Sequence, residues 1–183
     1  SYLLTKHLIS LGHRRIGIIV GDRNISTAED RVEGYRRALA ESGIPVDENL
    51  IKFSRYSRDG GYNSTKELLS LQDRPTAIFG GNNFIAIGAL VEIRELGLKV
   101  PEDIALVSFD DIESLSQVYP FLTVVNQPAY SMGVIAAELL IRRIEGMDTV
   151  EETRKVILQP ELIIRESAGE RLAEGVRGEK VDF

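Results

Sequence analysis

Five short apolar runs recur along the chain: Ile16 to Val20, Leu50 to Phe53, Thr76 to Phe79, Ile104 to Phe109 and Leu122 to Val125. None of them shows the apolar–polar alternation of a half-exposed strand. Their brevity and β-branched content predict strands covered on both faces, as in a parallel sheet. Between them the pattern changes to helical spacing near Ala28 to Ser42, Asp59 to Leu71 and Asn83 to Leu96. Gly43 and Gly97 stand where a C′ glycine would end two of these helices. Ser1 to Gly12 reads as a first helix, and Pro128 to Gly146 as a last and strongly amphipathic one. Strand–helix alternation with short connections predicts right-handed βαβ units, and so an α/β fold: a doubly wound parallel sheet with helices on both faces.

Two of the predicted strands break into polar pairs, Asn82–Asn83 after the third and Asp110–Asp111 after the fourth. Ligands of open α/β sheets lie outside the carboxyl ends of the strands, so a small polar molecule is to be sought there. The other chemistry is sparse. There is no cysteine, which removes disulfides, thiolate chemistry and sulfur ligands. His7 and His13 are the only histidines, too few for a usual zinc site, and neither has a serine or cysteine partner. His13 is read as serving the end of the first helix. Neither G-x-G-x-x-G nor a P-loop motif occurs, so Gly60, Gly61, Gly80 and Gly81 read as turns. No metal, no cofactor and no enzymatic activity is expected. With 22 basic and 28 acidic residues the net charge is −6, and no basic stripe offers the phosphate neutralisation on which nucleic-acid affinity rests. No run approaches the roughly 20 apolar residues of a membrane span.

The succession RPTAIFGGNN, an A-x-G-A-L helix, GLKVPEDIALVSFDD and LTVVNQP, preceded by LISLGHRRIGIIVGD and RVEGYRRALAESGI and followed by VILQPELIIRES, resembles the LacI/GalR family of bacterial transcriptional regulators. The likeness runs from about Thr5 to Ser167, in the C-terminal subdomain of the effector-binding region. It implies a periplasmic binding protein-like fold of type I, of which this chain is one subdomain of two. Residues 1–128 are then the C-terminal effector-binding subdomain and 129–158 a crossover helix and strand that would pack on the N-terminal subdomain. Residues 159–168 return as a strand, and 169–183 form a flexible tail. The helix-turn-helix, hinge and N-terminal subdomain of full-length members are not in this sequence, so operator DNA would be met only through those missing parts. The function implied is effector binding, with a sugar as the effector, and homodimerisation in a cytoplasmic LacI-type repressor under allosteric control. A periplasmic sugar-binding protein of the same architecture is the alternative, and a Rossmann-like enzyme is disfavoured because no nucleophile–base pair can be assembled. An isolated subdomain should bind effector weakly or not at all.

The resemblance also implies site residues. Arg31 matches the arginine whose fork holds ligand hydroxyls or carboxylates; by itself it reads equally as a surface partner of Glu29 or Asp30. Asp110 can accept from vicinal hydroxyls or can cap a short helix after the strand. Of Asn82 and Asn83 one caps the next helix; the family places Asn82 against ligand, and Asn83 stands where an aspartate is usual. Tyr56 matches an aromatic that stacks on ligand, or is a partly exposed loop tyrosine. Gln127, before Pro128, matches a hinge amide, or is a linker glutamine. The helix Asn83 to Leu96 is apolar nearly all round, interrupted by Glu92, Arg94 and Glu95. One face, Ala86, Ile87, Leu90 and Ile93, is expected on the sheet; the other, Ile85, Ala89 and Leu96, is expected in a two-fold dimer, with Ser57 to Gly60 and Ile112 to Gln117 nearby, the alternative being burial within the same chain.

Overall fold

The computed structural model describes residues 1–112, 119–147 and 155–169. The expected tail, apart from Gly169, and Glu113 to Gln117 of the expected dimer region lie outside those residues. The elements in chain order are α1 (Tyr2–Ser10), β1 (Ile16–Val20), α2 (Ser26–Glu41), β2 (Ile51–Phe53), α3 (Arg58–Leu69), β3 (Ala77–Gly80), α4 (Asn83–Glu95), β4 (Ala105–Phe109), β5 (Thr123–Asn126), α5 (Ala129–Ile144) and β6 (Glu161–Ile163). They fall into two compact units, one of Ser1–Val125 with the segment from Leu162 on, the other of Asn126–Glu161.

In the larger unit the strand order is β2-β1-β3-β4-β5-β6, and the β1–β2, β1–β3, β3–β4 and β4–β5 pairs are parallel. This is the doubly wound α/β sheet expected, each of the five predicted strands lying within a residue or two of its predicted span. Alternate side chains divide the interior. Ile16, Ile18, Val20, Ala77, Phe79, Ala105 and Val107 face one core with Leu4, Leu8, Val32, Tyr35 and Leu39 of α1 and α2. Ile19, Ile78, Leu106 and Val124 face the other with Leu68 of α3 and Ile85, Ala89 and Ile93 of α4. Every residue of β1 and β3 is buried, which is why these strands are apolar without alternation.

The α3–α4 contact is unusually close, and glycine is the cause. A Cβ on Gly88 would fall on the Arg58 carbonyl oxygen and 2.7 Å from the Tyr62 nitrogen, and one on Gly61 would lie 2.8 Å from the Ile85 Cα. Gly60 and Gly61 are therefore not turns but residues of α3, and Gly61 is where α4 rests on it. This corrects the dimer assignment. Ile85 and Ala89 are wholly buried within the chain, because α3 covers the face expected to meet a partner. Glu92, one of the three charges that interrupt the apolar circuit of α4, is 2 % exposed. Its neighbour Glu95 accepts from the Tyr62 hydroxyl at 2.7 Å, and hydrogen bonding to Glu95 and then Glu92 holds that phenol above its usual range. Leu96, just past α4, remains 52 % exposed, and Phe84 and Val91 of α4 are exposed too.

Within the smaller unit, α5 forms as predicted and none of its residues is buried. Val156 to Leu158 do not form the expected strand: the chain there has no regular structure, and Val156 and Ile157 are exposed. A strand exists only against a neighbour that takes up its backbone hydrogen bonds, and among the described residues this segment has none in that unit. No helix of the described residues is long and apolar enough to cross a membrane.

Candidate functional site

The connection after β1 leads to β2 on one side, and the connection after β2 leads to β3 on the other. The strand order thus reverses between β1 and β3, and a crevice opens at the carboxyl end of the sheet at such a point. Its floor is knitted by backbone hydrogen bonds, from the Ser54 nitrogen to the Val20 oxygen at 2.9 Å and from the Gly81 nitrogen to the Ile19 oxygen at 2.7 Å. Tyr56 lies flat against Gly21, where a Cβ would come within 2.6 Å of its Cδ2. A residue with any side chain at Gly21 would lift the ring.

Arg31, in the second turn of α2, reaches this ring. Its Nη1 donates to the Tyr56 hydroxyl at 2.8 Å and to the Thr27 carbonyl at 3.0 Å. Its guanidinium carbon stands 4.0 Å from the centre of the Phe109 ring, at the end of β4, and 5.5 Å from that of Tyr56. The alternative of a surface arginine paired with Glu29 or Asp30 is not what forms. Two aromatics and two acceptors hold the plane of the fork, while its Nε is buried with no hydrogen-bond partner among the described residues. Leaving a buried donor unmade costs about 1–3 kcal/mol. A little further out, Arg23 lies 4.2 Å over Phe53 at the end of β2.

Asn82 and Asp110 end the neighbouring strands. Asn82 is the N-cap of α4, its Oδ1 accepting from the Ile85 nitrogen at 2.9 Å, which leaves its amide NH2 as the group it can offer elsewhere. Asn83 turns away to donate to the Asp111 carbonyl at 3.2 Å. Asp110 has left-handed backbone, φ 66, and its nitrogen donates to the Val125 carbonyl at 2.8 Å. Gln127 belongs to the smaller unit.

Sequence reasoning missed two features here. Phe109 was read only as the last apolar residue of a strand; its place directly before Asp110 was the available signal. The ion pair of Asp111 with Arg165, 2.7 Å long with both side chains about 15 % exposed, joins residues far apart in sequence and had no local signal. His13 does not serve the end of α1 through its ring: Nδ1 meets the Thr76 hydroxyl at 2.9 Å, and burial lowers its pKa against a smaller opposing hydrogen bond at Ala168. A groove of about 610 Å³, lined by Ile87, Leu90 and Val91 of α4 together with Leu98, Tyr119 and Phe121, lies away from Arg31.

Residues 5–168 match the family described as periplasmic binding protein-like domain. The ribose operon repressor of Haemophilus influenzae is 39% identical over 167 residues, which are 91% of this chain and 50% of that protein. The transcriptional repressor PurR of Haemophilus influenzae strain PittEE is 37% identical over 168 residues, again 91% of this chain and 50% of the relative. The chain thus spans about half the length of these curated relatives. Among solved structures, a complex of the transcriptional regulator CelR with cellobiose superposes with a TM-score of 0.83 at 37% identity, over 89% of this chain and 49% of that one. The transcription regulator CcpA of Lactococcus lactis superposes with a TM-score of 0.82 at 33% identity, over 91% and 60%.

Proposed function

Because this chain belongs to the LacI/GalR family of transcriptional regulators, as part of its periplasmic binding protein-like effector domain, we propose that it binds a sugar at the carboxyl ends of β1 to β4. The observation that carries this reading is the Arg31 fork, stacked on Phe109, bonded to Tyr56, and retaining a buried Nε without an acceptor. A ligand hydroxyl supplies such an acceptor. Tyr56 and Phe109 give apolar faces suited to the C–H face of a pyranose. Asp110 accepts from hydroxyls and the Asn82 amide donates to them. A cellobiose complex of one relative and the ribose operon name of another support a sugar over other effectors.

The wider role is proposed on the same footing. The complete protein is a cytoplasmic repressor in which effector binding shifts the balance between DNA-competent and incompetent dimers by its differential affinity for the two. Operator contact belongs to sequence outside this chain. The dimer uses the exposed Phe84 and Val91 with the half-buried Ile87 of α4, together with the exposed Leu96 and Tyr119, in place of the buried Ile85 and Ala89.

Titration calorimetry of the complete protein with D-ribose and cellobiose tests the site. Each buried charge-assisted hydrogen bond contributes about 1.5–3 kcal/mol, so Arg31→Ala and Asp110→Ala should each weaken whichever sugar binds by at least about tenfold. Unchanged affinity in either variant removes that residue from the site; failure of wild type to bind any member of a wider sugar panel removes the sugar.

A further inference from the structure

Left-handed backbone at a residue other than glycine persists only where its surroundings over-determine it, and Asp110 is such a residue. Its surroundings are specific. Its nitrogen donates to the carbonyl of Val125 at 2.8 Å, and its own carbonyl accepts from the buried Ser108 hydroxyl at 3.2 Å. The next residue, Asp111, is gripped on both carboxylate oxygens by Arg165, Nη1 to Oδ1 at 3.0 Å and Nη2 to Oδ2 at 2.7 Å. Asp111 Oδ1 also accepts from the Ile112 nitrogen at 2.7 Å, and its carbonyl from Asn83. Arg165 is itself fixed: Nη1 donates to the Leu122 carbonyl at 2.8 Å, its nitrogen to the Thr123 hydroxyl at 2.8 Å, and that hydroxyl to the Arg165 carbonyl at 2.7 Å.

The positions of these residues in the chain matter. The larger unit is left after Val125 and re-entered at Leu162. Val125 holds the Asp110 nitrogen, and Arg165, three residues past the re-entry, holds Asp111. The turn that carries the Asp110 carboxylate is therefore suspended between the departing and the returning segment, and both bonds to it are short and partly or wholly desolvated.

We infer that Arg165 and Asp111 are a positioning pair for the ligand carboxylate: their bidentate bond keeps Asp110 in its left-handed conformation and so ties effector affinity to the two segments through which the chain leaves and re-enters the unit. The inference rests on the reading of Asp110 as a ligand group. A lysine cannot reproduce the planar two-point grip, and an asparagine at 111 keeps the shape while removing the charge, so both conservative variants fold and loosen the turn.

Amide hydrogen exchange on the complete protein is the test, and needs no bound sugar. In Arg165→Lys and Asp111→Asn the Asp110 amide should exchange about tenfold faster or more, while the Ile18 and Phe79 amides in the core stay within about twofold of wild type. Calorimetry with D-ribose and cellobiose should show the sugar that binds wild type weakened about fivefold or more in both variants, at nearly unchanged melting temperature. Unaltered exchange at Asp110 in both variants overturns the inference, as does faster exchange spread evenly over the core. If Asp110→Ala binds the sugars as wild type does, the ligand role of Asp110 falls, and the exchange result alone decides whether the pair holds the turn.

Discussion

Replacing Gly88 by alanine adds one methyl group to α4 at its crossing with α3, and the structure fixes what that methyl meets. Its nearest neighbours are the Arg58 carbonyl oxygen, the Tyr62 nitrogen at 2.7 Å and the Arg58 carbonyl carbon at 2.9 Å, all backbone atoms. No rotamer change relieves the clash, so the helices must separate by several tenths of an ångström. Separation also draws α4 off Gly61 and disturbs the core around Ile85, Ala89 and Ile93. Overpacking against rigid surroundings costs about 3 kcal/mol, at the upper end of its usual range. Alanine returns about 1 kcal/mol of helix propensity, which leaves a net loss of about 2 kcal/mol. For a domain of this size that lowers the melting temperature by about 4–8 °C. Gly133 in α5 is the internal control, because a Cβ there meets nothing within 4 Å. Gly133→Ala should leave stability unchanged or raise it by up to about 1 kcal/mol. Differential scanning calorimetry of the two variants decides, and a Gly88→Ala protein melting at or above wild type would refute the reasoning.

Other outcomes follow from single contacts. Burial lowers the pKa of His13 below its usual value near 6.5; the unfolded chain then takes up its proton at higher pH than the folded one. The stability this residue contributes is present above about pH 6.5 and is lost as pH falls toward the folded value, so urea midpoints should drop more between about pH 7.5 and 5.5 in wild type than in His13→Gln. An equal drop would dismiss it. The Tyr35 hydroxyl, wholly buried, donates to the Ile16 carbonyl at 2.8 Å, and Tyr35→Phe should cost about 1–2 kcal/mol by equilibrium denaturation; no loss would mean another donor takes its place. For the proposed dimer, Ile87→Glu should sediment as a monomer under conditions in which wild type is dimeric, and a variant that keeps the dimer mass would place the interface elsewhere.

The fold class was legible because burial on both faces leaves a local trace. Ile16 to Val20 and Ala77 to Phe79 are apolar at consecutive positions, and the helices between them carry their own spacing and stop signals. The polar pairs after β3 and β4 were legible for a like reason: a strand that ends in asparagine or aspartate announces a change of environment within two residues. The division of labour inside those pairs was not. Asn82 caps α4 because its Oδ1 reaches the Ile85 nitrogen, and Asn83 is drawn to Asp111 across the sheet end; nothing in the letters N-N distinguishes the two.

The misreading of α4 has an equally definite cause. A helix apolar all round must be covered twice, and the sequence states that much, but not by what. Covering by α3 depends on Gly61 and Gly88 meeting across two helices, and a glycine in sequence looks the same whether it turns a chain or admits a neighbouring backbone. Likewise Arg31 shows no sign of Phe109, nor Asp111 of Arg165, since pairs so distant in sequence become neighbours only when strands β1, β3, β4 and β5 have been ordered side by side. What the amino-acid sequence determined by itself is the set of elements, the strand ends that bear the chemistry, and the family. Which side chains meet there, which glycines set the helix spacing and which turn the Asp111–Arg165 pair adjoins were decided by tertiary structure, because periodicity is a property of neighbours along the chain and a site is a property of neighbours in space.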